Sequence, residues 1–260
     1  MNLKTSVLGM LIYAAMLLYA AAFVAGKFSL RRAGRLLFAS GFVFATGAVA
    51  WRGLSTGHIP LQNLFEVFLA MGALIYPIAL ACRRLPAARE RADMLLGVIL
   101  LWPAGFVFPE TPRPLPPALQ SFLFAPHVLV YLAAYVLLAK SAILAGAQFR
   151  RRPDDERERL DRSAHALAAW GYPFLTLGLL LGAWWGKLAW GDYWHWDPKE
   201  MWALATWLIY TGYFHARVQF ARGPSRLYAG LLLAGFFAIV LTLSWVNLSR
   251  LFAGLHSYAM

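Results

Sequence analysis

The chain has 260 residues, of which 60% are hydrophobic and only 14% charged, with a mean hydropathy of +0.57. That composition excludes an ordinary soluble domain, so the net charge of +12 is to be weighed against a lipid bilayer before a nucleic acid. Apolar runs long enough to cross ~30 Å of hydrocarbon at ~1.5 Å per residue predict an all-α polytopic membrane protein. About eight transmembrane helices are expected, near 6–26, 34–51, 62–82, 93–108, 125–149, 163–185, 201–221 and 227–248, as one integral membrane domain over 1–260.

Taken in chain order, the first run has only Lys4 before it and no small-residue cleavage pattern, so it is expected to be a retained span and not a removed signal peptide. The loop after it holds Lys27, Arg31, Arg32 and Arg35, whereas Arg52 follows the second span. His58 and Glu66 fall near the start of span three, and the sole cysteine, Cys82, falls at its end, beside Arg83, Arg84, Arg89 and Arg91. Span four is the shortest. "PETPRPLPPALQ" at 109–120 is rich in proline and predicts an extended, irregular connector.

His127 opens span five, which contains Lys140. "RRPDDERERLDR" at 151–162 mixes both charge signs and predicts a solvated turn or short helix, with His165 just beyond it. "AWWGKLAWGDYWHWDPKE" at 183–200 separates spans six and seven. His215 lies about fifteen residues into span seven, roughly 22 Å at helical rise, and His256 lies near the end of the chain. Most of the 24 basic residues follow the odd-numbered spans, so the positive-inside rule places both termini and the 184–202 segment outside. A single cysteine allows no internal disulfide and no CxxC, so any thiol chemistry belongs to another protein.

The 183–200 stretch asks for a function. Interfacial belts enrich Trp and Tyr at both membrane surfaces, yet Trp184, Trp185, Trp190, Trp194, Trp196, Trp202 and Trp207, most of the 11 Trp, crowd into one segment. Asp192, Asp197 and Glu200 stand among them and need partners or water near hydrocarbon. Asp197-Pro198 with Glu200 is the pattern of a helix start, so capping is the expected role of those acids.

Six histidines are the remaining ligand candidates. Any one of them alone at an interface is an ordinary amphipathic residue. Several converging on a Trp-rich segment fit a flat macrocycle with an axially ligated iron. Zinc is the competing metal, but a structural zinc site wants four close N or S ligands and gains nothing from the indoles.

"WGDYWHWDPKE" at 190–200 resembles the tryptophan-rich WWD signature of haem-handling proteins, in the wording of the CcsA (ResC) family of cytochrome c maturation. "GHIPLQNLFEVFLA" at 57–70, "PHVLVYLAAYVLL" from 126, "WALATWLIYTGYFHAR" from 202 and "VNLSRLFAGLHSY" at 246–258 are similar to further segments of that family, so the resemblance covers most of 51–258.

The resemblance implies a haem b held at the outer face by His127 and His256. The WWD aromatics Trp190, Tyr193, Trp194, Trp196 and Trp202, with Asp197, would form its seat. It further implies that His215 binds haem in transit within the membrane, with a second His supplied by a CcsB (ResB)-like membrane protein. Apocytochrome c bearing CxxCH and thiol-reducing proteins are the other implied partners, in the bacterial cytoplasmic (inner) membrane. His195 occupies a variable position of the motif. For His58 a hydrogen bond to Glu66, Asn63 or the WWD segment is expected ahead of haem ligation, and Glu66 is expected to pair with an outer basic residue. Three alternatives remain at this point: a WWD protein that loads haem onto a haem chaperone, a b-type haem electron carrier, and a haem exporter or membrane scaffold without catalysis.

Overall fold

The computed structural model describes residues 3–87, 90–220 and 225–245. Among them the chain is helical, without a strand. Its helices are α1 Val7–Lys27, α2 Arg31–Thr56, α3 Leu64–Cys82, α4 Glu90–Trp102, α5 Phe124–Ala147, α6 Asp154–Trp190, α7 Pro198–Phe220 and α8 Arg226–Val240. Each coincides with one of the eight expected spans. Six are long and apolar enough to cross a membrane; α4 and α7 are the two outside that set. The protein is a multi-pass membrane protein, and side chains such as Leu17, Leu54 and Val218 stand exposed on its helices, as lipid-facing residues do.

Two expectations are refined. Span four is a 13-residue α-helix continued by a π turn over Pro103–Val107, because Pro103 has no N–H for the regular ladder. The charged 151–162 stretch is neither a separate turn nor a short helix of its own; from Asp154 onward it is the first part of the 37-residue α6. Its acids and arginines are spaced for one helical turn, pairing Arg152 with Glu156, Arg159 with Asp155 and Arg162 with Glu158, and each such pair adds a few tenths of a kcal/mol to the helix. The 109–120 connector is irregular as expected, with one 3-10 turn at Pro117–Leu119.

The chain forms two compact units, Met1–Arg83 with Arg89–Pro117, and Arg84–Ala88 with Ala118–Met260. In the first, Tyr19 of α1 is fully buried. Its ring fills space left by Gly41 of α2 and Gly97 of α4, where a Cβ would collide with it, and its hydroxyl donates to the Gly72 carbonyl of α3 at 3.0 Å. One phenol thus touches all four helices, since small residues allow the close approach that packing in a membrane requires. Tyr19→Phe keeps the ring and removes that hydrogen bond; a loss of about 1 kcal/mol in detergent unfolding is expected.

The first unit also holds a buried ion pair. Arg52 Nε of α2 lies 2.8 Å from Glu66 Oε1 of α3, with both side chains almost wholly shielded. Arg52 Nη1 donates to the Glu110 carbonyl, and Glu66 Oε2 accepts from the Gln62 amide. Glu66 therefore has the basic partner expected of it. Asn63 caps α3 through the Glu66 amide, and His58 Nδ1 bonds the Ile59 carbonyl at 3.0 Å, in place of the side chains of Glu66 or Asn63.

In the second unit α5 and α6 run antiparallel in close contact, and α6 and α7 are joined by side-chain rungs. Arg217 reaches Asp161 at 2.7 Å, His165 Nδ1 meets the Tyr213 hydroxyl at 3.0 Å, Tyr172 bonds Thr211 at 2.7 Å, and the Trp207 indole donates to Thr176 at 3.0 Å. His165 is thereby a rung of the α6–α7 pair.

Candidate functional site

The WWD stretch is a helix–turn–helix. Trp184, Trp185 and Trp190 finish α6, residues 191–197 form the turn, and Trp202 and Trp207 belong to α7. Gly191 closes α6 in the left-handed region at φ 90°, as a helix C-terminus favours. The α7 start is a capping box: Asp197 Oδ1 accepts from the Lys199 amide at 2.9 Å, and Glu200 Oε2 accepts from the amides of Asp197 and His195 at 3.2 and 2.8 Å. The acids of "DPKE" thus have the capping role read from the sequence. Crowding by protein lowers Lys199 to about 8 by desolvation, opposed by Asp197.

The seven tryptophans divide by exposure. Trp185 is 2% exposed, and its indole N–H donates to the Ala118 carbonyl at 2.9 Å. Trp184, Tyr193 and Trp196 are exposed, whereas Trp190, Trp194, Trp202 and Trp207 are half-buried. Neighbouring rings meet at steep angles, 61° for Trp185–Trp190 and 86° for Trp194–Trp196, so the described indoles make a notched wall.

Trp196 is 68% exposed and sits at φ 56°. A bulky residue in the left-handed region costs about 1–2 kcal/mol, and the exposed ring recovers none of it by burial. Trp196→Gly relieves the backbone, so thermal stability is expected to hold or rise. Haem retention by the purified chain is expected to fall; retention at the wild-type level would remove Trp196 from the seat.

His127, on the first turn of α5, is half-buried against this wall. Its ring stacks on Trp185, with centroids 5.7 Å apart and planes 29° from parallel, and stands edge-on to Tyr131 at 5.1 Å. Its Nδ1 lies 2.9 Å from the Gly178 carbonyl of α6. His195, from the turn, is edge-on to Trp190 at 6.0 Å, and its Nδ1 is 3.9 Å from Glu200 Oε1. The same end of this unit therefore gathers His127, His195 and these aromatics along the contact series His127, Trp185, Trp190, His195.

His215 is on α7 and exposed, apart from the α6–α7 rungs. His256 lies outside the described residues. Among the described residues no three His, Cys, Asp or Glu side chains converge as a metal cage, whereas one imidazole against indole faces suits a haem iron, which takes a single protein ligand on each side.

Three residues important to this geometry escaped the sequence reading: Gly178, Gly182 and Trp185 as the support of His127. A signal for them existed, since small residues at 171, 178 and 182 of α6 recur at helical spacing.

A family model described as cytochrome C assembly protein matches residues 6–253. The chain is 29% identical over 270 residues to the cytochrome c biogenesis protein CcsA of Synechococcus sp. (strain RCC307), covering 88% of this chain and 86% of that protein. It is 33% identical over 269 residues to CcsA of Prochlorococcus marinus (strain NATL2A), covering 86% and 84%. Among solved structures, cytochrome c haem lyase CcmF superposes with a TM-score of 0.64 at 20% identity, covering 96% of this chain and 54% of that one. The fold is therefore shared with a protein of which this chain spans about half the length.

Proposed function

The chain belongs to the cytochrome c assembly protein family, and from that premise we propose that it is the haem-handling subunit of a cytochrome c synthase. A role in cytochrome c maturation follows from the family; the ligand set, the face of the membrane and the partners are our reading. Haem b is the substrate. His127 and His256 bind its iron at the outer face of a bacterial cytoplasmic membrane, over the wall made by Trp190, Tyr193, Trp194, Trp196 and Trp202, with Asp197 setting the helix beneath. His215 binds haem in transit, and the other axial ligand there comes from a CcsB/ResB-like membrane protein; its exposed position on α7 supports a ligand used with a partner.

The observation that carries the reading is the state of His127. It is half-buried among aromatic rings with Nδ1 against a carbonyl, so in the neutral ring the lone pair that would bind iron is the one on Nε2. An apocytochrome CxxCH segment then meets a haem whose position is fixed. Each cysteine S–H adds across one vinyl C=C, sulfur bonding to one carbon and hydrogen to the other, and the segment's own His replaces a protein ligand on the iron. Holding thiol and vinyl together replaces a rare bimolecular encounter. The thiols must arrive reduced, which calls for thiol-reducing proteins.

The test is a deletion of the gene in its own host. Membranes should lose covalently bound haem in c-type cytochromes and keep b-type haem, and both should be normal on re-expression. Intact c-type cytochromes in the deletion strain would overturn the proposal. Accumulation of haem on a soluble chaperone only when this chain is present would assign the loading role instead.

A further inference from the structure

The register between α5 and α6 is set by ring against glycine. A Cβ on Gly182 would lie 2.6 Å from His127 Cε1 and 3.0 Å from its Nδ1. One on Gly178 would lie 2.9 Å from the Tyr131 ring, and one on Gly171 would lie 2.9 Å from the Leu138 side chain. Steps of four and seven residues along α5 are matched by the same steps back along α6. The imidazole of His127 therefore lies directly on the α6 backbone, in the space that a side chain at 182 would take.

That seat decides the chemistry of the ring. The Gly178 carbonyl can only accept, so at 2.9 Å it requires a proton on Nδ1, which in the neutral ring puts the lone pair on Nε2. Trp185 covers one face of the ring, and its own indole is tied to the Ala118 carbonyl at 2.9 Å. Tyr131 closes one edge. The Gly178 carbonyl, Trp185 and Tyr131 thus each restrict the imidazole, in tautomer, plane and edge.

We propose that Gly182, the Gly178 carbonyl and Trp185 are positioning elements that present His127 Nε2 to the iron in one tautomer and one ring plane; the proposal rests on the reading of His127 as a haem ligand. A carbonyl accepting from Nδ1–H makes the opposite nitrogen a better donor, and a ring already oriented loses little freedom on binding. Loss of such an outer partner commonly weakens metal binding 10–100-fold. Alanine at 182 has the same consequence by displacement, since its methyl would occupy the ring's place and separate Nδ1 from its carbonyl.

The experiment uses the full chain purified in detergent, with and without haem. In the haem-free protein, 15N spectra of histidine-labelled chain, with His127 assigned by difference from His127→Gly, are expected to show Nδ1 protonated and Nε2 bare. In the haem titration, Gly182→Ala is expected to weaken the low-spin species about tenfold or more and to regain it with added imidazole. Gly171→Ala, whose methyl would meet Leu138 at 2.9 Å and Leu137 Cβ at 3.3 Å and not the His127 ring, is expected to titrate as wild type. Trp185→Phe keeps an aromatic face, loses the tie to Ala118 and carries the test if Gly182→Ala does not fold; a several-fold weakening is expected.

A proton on Nε2 of His127 in the haem-free chain would overturn the proposal, as would wild-type haem titration by Gly182→Ala or, in its absence, by Trp185→Phe. If His127→Gly loses the species while these variants do not, only the positioning role fails. If His127→Gly itself titrates as wild type, the ligand reading fails and this inference with it.

Discussion

On the proposed ligand reading, replacement of His127 by Gly is expected to remove the low-spin spectrum of the outer haem and to lower covalent haem on c-type cytochromes by at least about a hundredfold, since one of two axial ligands and the geometry it fixes would both be gone. Added imidazole restores the spectrum, because the deleted side chain leaves a slot bounded by Trp185, Tyr131 and Gly182. Recovery of covalent product is expected to be weaker, since a free imidazole is not tied to the Gly178 carbonyl in any one orientation. A His256→Gly variant is expected to behave in the same way. If both variants retain an unchanged bis-His spectrum, other residues hold the iron.

Glu66→Ala is expected to destabilise the first unit by about 3–5 kcal/mol. Its carboxylate is the counter-charge to Arg52, which is 2% exposed, donates to the Glu110 carbonyl at 2.6 Å and lies 5.4 Å from the Phe65 ring centre. Without Glu66 the guanidinium is left charged and shielded from water, and the Gln62 amide loses its acceptor. The cost comes from stranding the partner, not from the net worth of the pair, so Arg52→Met with Glu66→Leu together should recover much of the loss. Detergent unfolding of the three proteins checks this. A single variant within about 1 kcal/mol of wild type would show that water or lipid headgroups reach Arg52.

The extent to which this molecule can be read from its sequence follows the range of the interactions. The eight helices were legible, six of them long and apolar enough to cross a membrane, because burial in hydrocarbon demands length and apolarity, which are local properties. The capping box of Asp197 and Glu200 was legible for the same reason, since cap and helix lie within four residues. The start of α6 was misjudged because hydropathy is blind to a helix held by charge pairs such as Arg159 with Asp155. The pairing of Arg52 with Glu66, and the commitment of His127 to a carbonyl 51 residues away, depend on which helices touch. A lone sequence shows that only indirectly, in this case through glycines on α6 that mirror the rings on α5. The crowding of tryptophans pointed to the site, yet it did not separate Trp185, a buried support, from Trp196, whose exposed ring sits on a strained backbone.

The central claim is that this chain presents haem for thioether formation. It is tested most directly by purifying the chain with its membrane partner, loading haem, adding a reduced apocytochrome with one CxxCH, and measuring haem that stays with the polypeptide after acid–acetone extraction. The account predicts covalent haem with the wild-type complex and none with His127→Gly. Haem that remains extractable with every component present, while the low-spin species forms normally, would contradict it.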